Sequence, residues 1–187
     1  MRRPAAIALP LVALLLLAGC GAVPEIPPAL AGLPLTHSTR GAQALEDIAR
    51  LHRRTILARD GFVAHYERGE RVAMLYVTRA HAGPFAWWQF SKMVQGIERG
   101  TPNAEGQFTH LKARQQDGLT VYSALGLGQV HYFYRSGPAI VWLAADPIVA
   151  RPALNRLAHW NLHHGARVRL VLGGGTIVLG FVILVTV

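Results

Sequence analysis

Between two apolar ends, Ile7–Ala18 and Leu170–Val187, the hydrophobic positions fall into short periodic runs. Leu45, Ile48 and Leu51 recur near helical spacing, which predicts a first helix from an N-cap at Ser38 or Thr39 to about Arg53. Asp60-Gly61 then opens a hairpin, with strands Phe62–Glu67 and Arg71–Arg79 turning at Arg68-Gly69. Gly83-Pro84 starts a second helix that runs to about Arg99, where Gly100 and Pro102 stop it. Ala86, Phe90, Met93, Val94 and Ile97 form one apolar stripe along it, while Trp88 falls on the far side with Lys92 and Gln95. Turn residues divide the next stretch into four strands, Phe108–Gln115, Leu119–Leu125, Gln129–Arg135 and Ala139–Ala145. After Asp146-Pro147 a last helix is expected over Ile148–Trp160, with Leu154, Leu157 and Ala158 as its apolar side. The order α-β-β-α-β-β-β-β-α predicts an α+β domain, an antiparallel sheet of about six strands with helices packed on one face.

The flanks divide the chain further. Residues 1–19 read as a leader, 20–37 as a proline-rich tether, 38–160 as the domain, and 161–187 as a basic, histidine-bearing juncture with an apolar end. Pro24, Pro27, Pro28 and Pro34 deny the tether regular hydrogen bonding, although Ile26, Leu30, Leu33 and Leu35 give it a surface to lay along the domain. Leu170–Val187 carries no charge and as a helix would reach about 27 Å, enough for a transmembrane span. The alternative is a hairpin, Val168–Leu172 and Thr176–Val185, turning at Gly173-Gly174-Gly175, or an end that packs nowhere.

Composition changes the picture at the N-terminus. Arg2 and Arg3 precede an apolar run too short to span a bilayer comfortably, as in a secretory signal. The run ends Leu17-Ala18-Gly19-Cys20. Those four residues resemble the lipobox of bacterial lipoproteins. The resemblance implies cleavage before Cys20, a diacylglyceryl group on its thiol and acylation of the new amine, with the protein held outside the cytoplasm. In lipoproteins of Gram-negative bacteria the residue after the lipidated cysteine sorts between membranes, and Gly21 rather than Asp leans towards the periplasmic face of the outer membrane in such a cell, or the inner membrane if the C-terminal segment spans. A C-terminal spanning helix conflicts with that sorting, because outer-membrane spans are barrels, and would place Arg167 and Arg169 outside, against the positive-inside tendency.

Cys20 is the only cysteine, so no disulfide forms within the chain and the domain rests on its core. Loss of Arg2 and Arg3 leaves seventeen Lys and Arg against ten acidic residues. Outside the cytoplasm such a basic surface faces anionic lipid or acidic envelope polymers rather than nucleic acid, unless it serves solubility alone.

The chemistry is sparse. His159 and His163 stand one helical turn apart with His164 beside them, a spacing able to grip a metal but lacking a third ligand type. His65, His110 and His131 lie in predicted strands, and strand order decides whether two of them meet. Gly126-Leu127-Gly128 is no phosphate loop, and no GxSxG serine or paired carboxylate supports hydrolysis. Most of Phe85, Trp87, Tyr132, Phe133, Tyr134 and Trp142 is expected in the core; Phe85 with Trp88 is the exception, meeting a partner, a membrane interface or the tether. The expectation is an envelope lipoprotein without cofactor or catalysis, whose small domain binds an envelope protein or an acidic envelope component. The alternatives are a scaffold subunit docked through Leu170–Val187 and a histidine-based metal or enzymatic module.

Overall fold

The computed structural model describes residues 24–52, 56–100 and 108–157 in full, the backbone of the last helix to 164, and the backbone of 169–172 and 175–178. The lipobox, Leu17 to Cys20, lies outside the described residues. In chain order the elements are β1 (Ala29–Leu30), β2 (Leu33–Arg40), α1 (Gly41–His52), β3 (Asp60–Arg68), β4 (Arg71–Arg79), α2 (Gly83–Glu98), β5 (Thr109–Gln116), β6 (Leu119–Gly126), β7 (Gln129–Ser136), β8 (Ala139–Ala145) and α3 (Pro147–His164). β9 (Arg169–Leu172) and β10 (Gly175–Val178) follow as a separate two-stranded hairpin.

The α+β class holds, but the sheet has eight strands rather than about six, in the order β1-β2-β3-β4-β8-β7-β6-β5, antiparallel at every pairing. The two added strands come from the segment expected to be tether and helix cap. Leu33 and Thr39 of β2 are buried, and β2 pairs along β3 from Leu35↔Tyr66 to Arg40↔Phe62. Pro34, which has no N–H, sits at the far edge where β1 contributes only two residues. Helix α1 therefore starts at Gly41, where φ is +59°, and not after Ser38 or Thr39. Thr39 instead anchors the helix from the strand, its hydroxyl donating to Asp47 Oδ2 at 3.1 Å.

The helices also cover both faces, not one. Phe62, Ala64 and Tyr66 of β3, Leu75 and Val77 of β4, and Val141 and Leu143 of β8 pack with Val149, Ala153, Leu154 and Leu157 of α3. On the opposite face Ala124, Phe133 and Ile140 pack with Ala86, Phe90 and Val94 of α2. α1 lies on the α2 face over β2 and β3, as the Thr39–Asp47 bond and the approach of Leu45 to Gly61 require. β8 explains the two-sided cover. Its seven residues are all apolar and six are buried, with no polar alternation to leave a wet face.

The N-terminal segment closes the α3 face. Leu30 and Leu33 are buried there, Ile26 packs beside them, and the Tyr66 hydroxyl donates to the Pro27 carbonyl at 3.0 Å. Burial pushes that hydroxyl's pKa far above the ordinary tyrosine range, so it remains a donor. α3 runs four residues beyond the expected Trp160, with Pro152 inside it.

At the C-terminus, Gly175–Val178 pairs antiparallel with Leu172–Arg169. The described part of Leu170–Val187 is thus strand, not helix, and no helix among the described residues is long and apolar enough to cross a membrane.

Candidate interaction surface

Helix α2 is built to bury one stripe and show another. Its core stripe, Ala86, Phe90 and Val94, is buried, with Met93 and Ile97 packed alongside. Pro84 occupies the first turn, where its missing N–H costs nothing. The turns that carry Ala86 and Phe90 inward hold Phe85, Trp87 and Trp88 outward, 55%, 59% and 49% exposed. Leu57, 49% exposed, joins them, because its N–H donates to Gln89 Oε1 at 3.2 Å and pins the preceding segment against the helix. Lys92 follows Trp88 by one helical turn and is exposed. Arg59, two residues after Leu57, is exposed as well.

Phe85 and Trp88, the two residues singled out from sequence, therefore share an apolar surface. Trp87, expected in the core, belongs to it too. Trp87 flanks the buried stripe of α2, so helical spacing alone does not separate it from the core aromatics. Pro27, Leu30 and Leu33 of the proline-rich segment lie on the α3 face, by Tyr66, and so away from Trp88.

Among the described residues, aromatics of the sheet pack on one another beneath α2. Tyr122, Phe133 and Trp142 stand in register on β6, β7 and β8 and stack face to face, with centroids 5.6 and 4.5 Å apart. Phe108 meets His131 and Trp142 edge-on at 4.8 and 5.4 Å.

The strand histidines do not gather as a trio. His131 is 3% exposed on the α2 face of β7; its Nδ1 accepts from Trp142 Nε1 at 3.1 Å and its Nε2 lies 2.9 Å from the Gly126 carbonyl. An indole N–H only donates, so the proton sits on Nε2, which donates to Gly126. Burial lowers the His131 pKa, partly offset by that Gly126 bond. His65 is on the same face, but β4 and β8 intervene, about 14 Å across three strand spacings. His110 sits in a register shift of the outer strand β5, at φ +56°.

The strand order brings a different pair together. His37 of β2 is the direct cross-strand partner of His65. The sequence could not show this while residues 20–37 stood as tether. His159, His163 and His164 fall in the last turns of α3, and their side chains lie outside the described residues. Among the described residues no three His, Cys, Asp or Glu side chains are arranged to hold a metal.

Asp146 lines an open groove with Arg68, Glu70, Arg71, Pro147 and Ile148, but its carboxylate accepts the Val72 N–H at 2.7 Å. Its backbone carbonyl accepts from Val149 and Ala150 at the start of α3. Asp146 is thereby committed to the fold. Comparison with family models, with curated proteins and with solved structures finds no match to this chain.

Proposed function

We propose that the protein is an envelope lipoprotein, acylated on Cys20 and held at the periplasmic face of a membrane, whose small α+β domain is a non-catalytic module that docks a partner protein. One observation carries the docking part. Three large aromatics of α2, Phe85, Trp87 and Trp88, are exposed, with Phe85 and Trp88 one turn apart and Leu57 held beside them at Gln89, while the aromatics of the sheet beneath are packed into the core. Tryptophan and other aromatics at half exposure are the side chains that anchor protein interfaces. Lys92 gives the patch a cationic border, suited to an acidic rim on the partner.

The described chain enters the fold on the α3 face, where Pro27 meets Tyr66. Only four residues lead from Cys20 to Pro24, a reach of at most about 14 Å. We read Phe85, Trp87 and Trp88 as directed at another protein rather than at the anchoring bilayer. A lipid carrying several acyl chains anchors stably by itself, so the aromatics are not needed for membrane binding.

The test is chemical cross-linking in intact membranes of the wild type and of a Phe85→Ala, Trp88→Ala variant. A discrete cross-linked complex in the wild type, lost in the variant while the variant stays membrane-bound, supports the reading. Sedimentation of a Cys20→Ser protein with anionic vesicles, abolished by the same two substitutions, would assign the patch to lipid instead.

A further inference from the structure

Beyond docking, we propose that His37 and His65 form a two-imidazole site for Cu2+. They are direct partners in the antiparallel β2–β3 ladder, so both side chains rise from the same face of the sheet. Directly opposed residues carry their Cβ atoms about 4.5–5.5 Å apart, close enough for two imidazoles to take one metal at about 2.0 Å from each nitrogen.

Two features of His65 favour a cation there. Its Nε2 is out of contact with solvent and makes no hydrogen bond, the state of a donor atom with its lone pair or proton uncommitted. The Glu67 carboxylate stands 3.6 Å from that nitrogen, just beyond hydrogen-bond distance, and supplies negative charge beside it. His37 is exposed, which leaves the site open to entry from solvent.

The donor set selects the metal. Two imidazoles with Glu67 as a nearby counter-charge, and no third ligand arranged with them among the described residues, form a weak, open chelate, with the remaining positions filled by water. Copper(II) binds nitrogen donors most tightly of the first-row divalent ions, and it tolerates such an incomplete tetragonal set, so it is the ion this pair retains while Zn2+ is held less firmly.

The experiment uses the full chain in detergent with Cu2+ added at neutral pH, read by electron paramagnetic resonance and by titration. His159→Asn, His163→Asn and His164→Asn are introduced together as the background, which removes the α3 histidines. The expected result is one Cu2+ with hyperfine splitting from two nitrogens. His37→Asn or His65→Asn should each remove that signal and weaken binding at least about tenfold, and His110→Asn should leave it unchanged. Unaltered thermal melts of His37→Asn, an exposed position, separate loss of a ligand from loss of fold. Absence of a two-nitrogen signal in the background protein, or its survival in His37→Asn, overturns the proposal.

Discussion

Trp142 donates its indole N–H to His131 Nδ1 at 3.1 Å, and this one bond fixes the tautomer of a histidine buried at the heart of the α2 face. Protonating His131 would place a second proton against the indole N–H, in a site that already disfavours charge. Burial of the ring, partly offset by the Gly126 bond, depresses its pKa in the folded state, and the unfolded chain, titrating near 6.5, binds the proton first. Stability from this group is complete above about pH 6.5 and is lost as pH falls through the folded value. Denaturant unfolding at pH 8 and pH 5, compared between the wild type and His131→Phe, measures it. The variant should lose about 1–3 kcal/mol at pH 8, because Trp142 Nε1 and the Gly126 carbonyl are left unpaired, and should show the smaller acid-induced decline. Equal declines in both proteins would remove His131 from the account.

Tyr66→Phe tests how the N-terminal segment is held. The substitution keeps the buried ring and deletes only the bond to the Pro27 carbonyl. A loss of about 1 kcal/mol is expected, with faster proteolysis within residues 24–28. An unchanged cleavage rate would mean that burial of Leu30 and Leu33 suffices.

Gly126 and Gly61 are glycines because of what lies over them. A methyl at Gly126 would come within 2.6 Å of the Phe108 ring, and one at Gly61 within 2.5 Å of the Val77 carbonyl oxygen. The ring can turn aside and the backbone cannot. Gly61→Ala should therefore destabilise more than Gly126→Ala, which is expected to lose about 1–3 kcal/mol and to alter Trp142 fluorescence as Phe108 shifts. Denaturation midpoints and emission spectra of the two variants decide the order.

Trp88→Ala and Phe85→Ala should each change stability by no more than about 0.5 kcal/mol, since both side chains are half exposed. A drop of several kcal/mol would show that they hold the fold together and are not available for docking.

The hairpins, the meander and the two stripes of α2 and α3 were legible because each carries its own period and its own turn. Asp117-Gly118 and Leu127-Gly128 take the paired positive φ values of tight hairpin turns, at the positions where glycine had marked them. What escaped was cover and order. β8 reads Ala-Ile-Val-Trp-Leu-Ala-Ala without alternation, a pattern that belongs to a strand buried on both faces, and it was available from the start. β2 was hidden more deeply. Pro34 and the run Thr36-His37-Ser38-Thr39 carry the chemistry of tethers and helix caps, and only pairing with β3 makes them a strand. The His37–His65 pairing is hidden with β2. On the exposed side of α2, Phe85 and Trp88 could be found from helical spacing, whereas Trp87 could not, because it flanks the buried stripe.

The most direct test of the central claim, a domain held outside the cytosol by lipid on one sulfur, is the mass of the protein purified from its native membrane. The account predicts a chain that begins at Cys20 and carries diacylglyceryl and acyl groups there. A retained Met1, or a free thiol at residue 20, would contradict it.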